Sequence, residues 1–92
     1  MDFVQRKFRI SGRVQGVCFR AWAQEVAREL GLRGGVRNLP DGSVEVLAGG
    51  PSRAMATFAE RLWQGPPSAR VQAVESLEST LPLVDGPFSI YR

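Results

Sequence analysis

The chain has 92 residues, of which 43% are hydrophobic and 23% are charged. This composition is typical of one compact globular domain and differs from that of disordered segments. No run of apolar residues approaches the ~18 that a membrane-spanning helix needs. Residues 1–10 alternate charged and apolar side chains, where a signal peptide would be continuously apolar. We therefore expect a single domain over residues 1–92, no membrane segment and a cytoplasmic location.

The chemistry available to the chain is limited by its rare residue types. It contains one cysteine, Cys18, and no histidine, which excludes an intrachain disulfide and leaves no plausible Cys/His zinc site. We therefore expect neither metal-assisted nor histidine-based chemistry. The net charge is +3, and every basic residue except Lys7 is an arginine. Arginine suits bidentate phosphate binding, although codon usage or a stability preference explains most of these residues more simply, and only Arg20 gains a specific role from its neighbours.

The first predicted elements are a strand and a helix. Residues 7–14 form the strand, because Phe8 and Ile10 alternate with polar side chains in a period of two. A glycine-bearing loop ends it. From Phe19 the apolar residues take the spacing of an amphipathic helix of about three turns, which Gly31 ends. The apolar face of this helix carries Trp22, Ala23, Val26, Ala27 and Leu30.

A hairpin and a second helix follow. Residues 35–39 and 43–47 are predicted strands, because Pro40-Asp41-Gly42 between them is a sequence typical of a tight turn. A Gly-Gly-Pro-Ser segment is then predicted to end the strand, and Pro51 suits the first turn of a helix. Gly65-Pro66-Pro67 terminates that helix. Its apolar stripe carries Met55, Phe58 and Leu62, with Ala59 and Trp63 slightly off the stripe.

The last part of the chain is predicted to be extended. Residues 70–77 alternate imperfectly, because Val71 and Val74 differ in parity, which indicates a β-bulge or an edge position. A loop over residues 81–87 leads to a short terminal strand, residues 88–91. The order βαββαβ with one extra strand predicts an α+β fold of the ferredoxin-like α/β sandwich type. In it an antiparallel sheet of four to five strands carries two helices on one face.

The segment of greatest chemical interest is Gly12-Arg13-Val14-Gln15-Gly16-Val17-Cys18-Phe19-Arg20, which runs from a strand into a helix. Amides at a helix N-terminus lack intrahelical partners and, with the helix dipole, attract anions. Gly16 lets the loop curl so that N–H groups point inward, and Arg20 can reach two phosphate oxygens. The alternative is a plain strand-to-helix connection, which glycine spacing alone favours. The segment fits neither a Walker loop nor G-x-G-x-x-G, so ATP and NAD binding are disfavoured.

Two segments resemble the signatures of the acylphosphatase family. The first is the loop just described. The second is Gly35-Val36-Arg37-Asn38-Leu39-Pro40-Asp41-Gly42-Ser43-Val44-Glu45. Further similarity lies in Phe58, in residues 65–71 and in residues 88–91, so the resemblance covers nearly the whole chain. Gly35 stands where the family often has an aromatic residue, and we expect looser packing there.

The resemblance implies a function. It implies hydrolysis of the carboxyl-phosphate bond of small acyl phosphates to a carboxylate and inorganic phosphate, without a cofactor. The phosphate-binding arginine of the family falls on Arg20, and its water-orienting asparagine falls on Asn38. Its phosphate cradle corresponds to the backbone amides of Gln15, Gly16, Val17, Cys18 and Phe19, closed by Arg20. Inorganic phosphate is then a product and a competitive ligand, and we expect a monomer that binds neither nucleic acid nor membranes.

The proposed chemistry needs no histidine. A carboxylate with a conjugate-acid pKa of about 4 leaves without a general acid, and phosphoryl transfer depends on positioning and charge stabilisation.

Asn38 has an alternative role as a turn-entry residue. Four further expectations are that Asp41 is a turn residue, Glu45 a surface residue, Cys18 a loop or core side chain, and that Trp22 and Trp63 fill the two helix-to-sheet interfaces.

Two other classes of function share this scaffold. An anion-binding or regulatory module would keep the loop without the chemistry. The presence of both Arg20 and Asn38 argues against such a module, although it is compatible with a domain that works in concert with a larger partner. RNA-recognition modules display aromatic residues in a K/R-G-F/Y-G/A-F pattern, which this sequence lacks.

Overall fold

The computed structural model describes residues 2–80, 82–83 and 86–91, so the predicted loop over residues 81–87 lies partly outside the described residues. The order of elements confirms the predicted ferredoxin-like α+β arrangement. In chain order they are β1 (Phe3–Arg13), α1 (Phe19–Glu29), β2 (Arg33–Asn38), β3 (Val44–Pro51), α2 (Ser52–Gln64), β4 (Arg70–Glu78) and β5 (Ser89–Ile90). No helix within the described ranges has the length and apolar character to span a membrane.

The strands form one sheet in the order β4-β1-β3-β2-β5. The first four strands pair antiparallel, as predicted, whereas β5 pairs parallel with β2 through Gly35↔Ser89 and Val36↔Ile90. The sheet is therefore mixed. The reason is directional, because β4 ends at the end of the sheet where β2 begins, and a chain that crosses to the β2 edge continues in the direction of β2.

One face of the sheet forms the core with both helices. Phe8 and Ile10 on β1 lie opposite Val46 and Val44 on β3, and all four side chains are buried. Phe58 of α2 contacts the rings of Phe8 and Phe88 edge-to-face, with centroids 6.0 and 6.1 Å away. Helix α1 contributes Phe19, Ala23, Val26 and Ala27 to the same cluster. The opposite face of the sheet, called the open face below, carries the polar residues that alternate with these.

Strand β4 has both features predicted from its imperfect alternation. It lies at an edge of the sheet, beside β1. Ser11 pairs with Ala73 and Gly12 with Val71, so Gln72 is an extra residue and the register shifts there. The bulge explains why Val71 and Val74 both pack against the core although their parity differs.

The boundary between β3 and α2 differs from the prediction. Gly49 and Gly50 continue β3 instead of ending the strand, and Pro51 is the N-cap of α2, before its first turn. The glycines serve close packing, because a Cβ on Gly49 would come within 2.4 Å of Leu83 and one on Gly50 within 2.5 Å of Leu32. Composition alone does not separate a glycine that breaks a strand from one that is covered by a side chain.

The two tryptophans, both predicted to fill helix-to-sheet interfaces, differ in their burial. Trp22 packs against the core and lies 5.4 Å from the ring of Phe19. Trp63, in contrast, is 52% exposed and does not fill the interface of α2 with the sheet. It follows Leu62 directly, so it is turned by about 100° from the buried stripe.

Candidate active site

The loop between β1 and α1 is fixed by its own apolar residues. Val14 is 1% exposed and Val17 is 8% exposed, and both belong to the core. Between and after them, Gly16 and Cys18 are exposed. The buried valines therefore anchor the loop to the core, while the backbone at Gly16 and Cys18 stays at the surface.

Two residues with a left-handed backbone conformation curl this loop. Gly16 has φ +73°, as the predicted curl requires, and no described residue other than its chain neighbours has an atom within 4 Å of where its Cβ would be. Cys18 has φ +62° and is the one non-glycine residue with positive φ among the described residues. This conformation costs roughly 1–2 kcal/mol for a residue with a side chain. Strain of this kind is concentrated at functional sites, and nothing in the sequence indicated it at Cys18.

The N-terminus of α1 is open to an anion. The first helical hydrogen bond is donated by the Trp22 amide to the Cys18 carbonyl at 3.0 Å, so the amides of residues 19–21 lack intrahelical partners. The side chain of the N-cap residue, Cys18, makes no capping hydrogen bond, and the first turn of the helix contains no acidic residue. The positive end of the helix dipole therefore has no negative group from the first turn beside it.

Ser68, in the segment between α2 and β4, orients one peptide of the loop. Its hydroxyl donates a hydrogen bond of 3.0 Å to the carbonyl of Val17. In a trans peptide the N–H points opposite to the C=O, so this contact directs the Cys18 amide away from Ser68. The sequence resemblance included Ser68 but assigned it no role.

Gln15 contacts the hairpin with its side chain. Its Nε2 donates to the carbonyls of Leu39 and Ser43, each at 2.8 Å. These two carbonyls belong to opposite ends of the turn between β2 and β3. The sequence pointed only to the backbone amide of Gln15, so this side-chain bridge was not predicted.

The same turn is held from β1. Asp41 accepts hydrogen bonds from the Ser43 amide at 2.9 Å and the Ser43 hydroxyl at 2.5 Å, and it pairs with Arg9. The Ser43 hydroxyl and amide, followed by Arg9, lower the pKa of Asp41 from its ordinary 3.8 to about 2. Asp41 is therefore a turn residue, as predicted.

Arg20 and Asn38 line one pocket of about 380 Å³. Arg20 lies in the first turn of α1, and Asn38 is the last residue of β2. Gln15 and Val17 do not line it, since the Gln15 side chain turns to the hairpin and that of Val17 to the core. The lining residues are Val14, Gly16, Cys18, Phe19, Arg20, Ala21, Asn38 and Ile90.

The two polar side chains of this pocket lack protein partners in the part of the chain that the structure describes. Arg20 forms no ion pair there, and no Asp or Glu lines the pocket. The Oδ1 atom of Asn38 is buried and accepts no hydrogen bond. A buried carbonyl without a donor costs about 1–3 kcal/mol, so both groups would gain from a ligand.

The C-terminal strand forms one wall of the pocket. Arg28 Nε donates to the Phe88 carbonyl at 2.9 Å, and Phe88 is fully buried. Ile90 of β5 lines the pocket, whereas the Tyr91 ring lies beside Gly35 and Arg37 on the open face. A Cβ on Gly35 would come within 2.1 Å of that ring. The expected loosening at Gly35 is therefore wrong, because Tyr91 fills the space.

Two other residues singled out in the sequence lie as follows. Glu45 is not a simple surface residue, since its side chain is only 14% exposed and accepts a hydrogen bond of 2.8 Å from Arg37. Neither Glu45 nor Asp41 lines the pocket. Cys18 is an exposed loop residue. Within residues 2–80, 82–83 and 86–91, no cluster of three or more Asp, Glu, Cys or His side chains is arranged to hold a metal.

Comparisons with known proteins place the chain in one family. The family model described as Acylphosphatase matches residues 6–90. An acylphosphatase of Rhizobium meliloti is 49% identical over 84 residues, which are 91% of this chain and 88% of that protein. One from Thermus thermophilus is 59% identical over 66 residues, 72% of this chain and 75% of that protein.

A solved structure agrees with the sequence matches. The structure of an acylphosphatase from Coxiella burnetii superposes with a TM-score of 0.91 at 36% identity, covering 98% of this chain and 94% of that one. The fold and the sequence therefore both match acylphosphatases. The chain belongs to the acylphosphatase family, the enzymes that hydrolyse acyl phosphates.

Proposed function

We propose that this enzyme hydrolyses small acyl phosphates by in-line attack of a water molecule that Asn38 positions on a phosphoryl group held by the loop and Arg20. The observation that carries the proposal is the shared pocket, in which Arg20, Asn38 and the start of α1 meet. The products are a carboxylate and inorganic phosphate.

The phosphoryl group is bound by donors that the fold holds in place. We propose that the amides of residues 15–19 and the Arg20 guanidinium contact its oxygens. Support comes from the uncapped N-terminus of α1 and from the left-handed backbone at Gly16 and Cys18. Fixed donors stabilise the charge of the transition state without reorganising during the reaction.

Asn38 is proposed to hold the nucleophile. An asparagine amide both accepts and donates, so it can bind a water through Oδ1 and a phosphate oxygen through Nδ2. The support is that Oδ1 has no donor from the described protein. Holding the water in line with the breaking bond lowers the entropic part of the barrier.

Proton transfer does not require a protein base in this scheme. The leaving carboxylate has a low basicity and departs unprotonated. A phosphate oxygen of the substrate takes the proton of the attacking water. Among the described residues no Asp or Glu lines the pocket, which is compatible with this route.

The remaining features of the enzyme are also proposals. We propose one domain over residues 1–92, a monomeric state and a cytoplasmic location, with which the exposed free thiol of Cys18 is compatible. The reaction is proposed to need no metal ion. EDTA should then leave the rate unchanged, and inhibition reversed by a divalent cation would contradict a metal-independent mechanism.

The first test is turnover of benzoyl phosphate by purified protein, compared with an aryl phosphate monoester. The acyl phosphate should be hydrolysed at least ~10²-fold faster, because the enzyme supplies no acid to protonate the more basic phenoxide leaving group of the monoester. Equal rates on both substrates, or hydrolysis of neither, would overturn the proposed function.

The second test separates the two catalytic side chains. Asn38→Ala should lower kcat by about 10²- to 10³-fold while the inhibition constant of inorganic phosphate rises by less than about tenfold. The reason is that the variant loses the group that holds the water, whereas phosphate loses one neutral donor and keeps the loop amides and Arg20. Wild-type turnover in Asn38→Ala would remove the proposed role of this residue.

A further inference from the structure

We propose that the side chain of Gln15 is a positioning residue that sets the distance between the bound phosphate and the attacking water. This inference rests on the proposed function. Gln15 belongs to the loop that would hold the phosphate, whereas its side chain bonds to the hairpin that carries Asn38. The side chain acts through these two parts and does not itself touch the reacting atoms, unlike the backbone amide of Gln15.

The contact uses both hydrogens of the carboxamide NH2 group. One nitrogen, Nε2, donates to two carbonyl oxygens at 2.8 Å each. A side-chain NH2 group has two hydrogens, so both are used. The two acceptors belong to Leu39 and Ser43, which flank the turn and are themselves joined by the Leu39 amide donating to Ser43 at 2.8 Å. A single group thus ties both ends of the turn to the loop.

This bridge has no substitute in the part of the chain that the structure describes. No other hydrogen bond there joins residues 14–18 to residues 38–43. The bonds of Arg9 and Asp41 hold the turn to β1 and not to the loop. Gln15 is half-buried, which shields its bonds from competition with water.

The bridge acts close to the proposed nucleophile site. Leu39 is the next residue after Asn38, so a shift of its carbonyl moves the end of β2 relative to the loop. A misplacement of about 1 Å between reacting groups costs about 10²-fold in rate. Loss of the bridge should therefore slow the chemical step more than it weakens phosphate binding, because the loop amides and Arg20 stay in place.

The test compares Gln15→Met with Gln64→Met. Methionine matches the length of glutamine but has no donor, and Gln64 is an exposed residue at the end of α2. Gln15→Met should lower kcat for benzoyl phosphate by about tenfold or more, with the inhibition constant of inorganic phosphate within about twofold of wild type. Gln64→Met should match the wild type in both. Gln15→Glu should be slower than Gln15→Met, because it sets a carboxylate against two carbonyl oxygens.

A double variant separates positioning from general support of the fold. In the Asn38→Ala background, Gln15→Met should change kcat by less than about twofold, because the group that Gln15 positions is already gone. Unfolding midpoints from circular dichroism show which variants are folded at the assay temperature. If Gln15→Met unfolds, Gln15→Asn, which keeps the amide on a shorter side chain, should show the same separation of kcat from phosphate affinity.

Three results would overturn this inference: an unchanged kcat in folded Gln15→Met, equal losses of kcat and phosphate affinity, or additive losses in the double variant. Each of them requires an active wild-type enzyme. A wild type that does not hydrolyse benzoyl phosphate would instead overturn the proposed function, so the two failures are distinguishable.

Discussion

Arginine side chains behave differently on the open face of the sheet and at the pocket. On the open face, Arg9 pairs with Asp41 and Glu75, and Arg37 pairs with Glu45. Arg37 also lies over the Tyr91 ring, with its Cζ 6.0 Å from the centroid. At the pocket, Arg20 forms no ion pair within the described residues, and no acidic side chain lines the cavity with it.

The difference shows that the surroundings of an arginine, and not its residue type, indicate its role. Exposed ion pairs contribute about 0–1 kcal/mol each, so the open face gains modest stability from arginines whose charge is already neutralised. A guanidinium without a carboxylate partner beside an uncapped helix N-terminus adds to a positive potential instead. That arrangement favours a bound anion.

The largest expected effect tests this contrast directly. Arg20→Ala should reduce kcat/KM for benzoyl phosphate by about 10³-fold or more and weaken inhibition by inorganic phosphate, because both the transition state and the ground state lose a charged donor. Arg37→Ala is the matched control, with kcat/KM within about twofold of wild type and a slightly lower unfolding midpoint. Similar losses of activity in the two variants would show that the contrast has no functional meaning.

An intermediate effect is expected at Ser68. Ser68→Ala frees the Val17 carbonyl and with it the orientation of the Cys18 amide. One misdirected neutral donor should weaken phosphate binding by about three- to tenfold, equivalent to about 1 kcal/mol. Phosphate affinity is measured by calorimetry, and Ser76→Ala, an exposed serine on β4, serves as the control. Unchanged affinity in Ser68→Ala would mean that the Cys18 amide does not contact phosphate.

The smallest expected effect is the pH dependence of stability that comes from Asp41, in the turn between β2 and β3. The pKa of Asp41 is lowered to about 2, chiefly by the Ser43 hydroxyl and amide and then by Arg9. The ionised carboxylate therefore favours the folded state. Its contribution is complete above the unfolded pKa of about 4 and disappears as the pH falls through about 2.

Urea unfolding of wild type and Asp41→Asn across this range checks the sign. Asparagine keeps an acceptor for the Ser43 amide but does not titrate. The wild type should lose more stability than Asp41→Asn between about pH 4 and pH 2. Because Asp41 is exposed, the difference should be small. Parallel curves would show that this carboxylate is not held as the structure indicates.

The sequence predicted the fold well where a pattern repeats. Period-two alternation marked β1, and the stripe of Met55, Phe58 and Leu62 marked the buried side of α2. It failed where a single side chain decides the outcome. Trp63 lies one residue past that stripe and is exposed, and Gly49 continues a strand because Leu83 covers it. Such contacts join residues far apart in the chain, so local patterns do not encode them.

The candidate site shows the same division. The resemblance of two segments named Arg20 and Asn38, and the structure shows both lining one pocket. It did not indicate the left-handed backbone of Cys18 or the bridge from Gln15 to the hairpin. These features depend on how the two segments meet in space. The catalytic roles of Arg20 and Asn38 stay predictions until they are measured.

The most direct measurement of the central claim is a titration of ¹⁵N-labelled protein with inorganic phosphate, followed by amide NMR shifts. The account predicts that the largest shifts fall on the amides of residues 15–20, with the side-chain NH2 of Asn38 also moving, while Arg37 and Glu45 on the open face stay near their starting positions. Saturable shifts centred on the open face, with the loop amides unmoved, would contradict it.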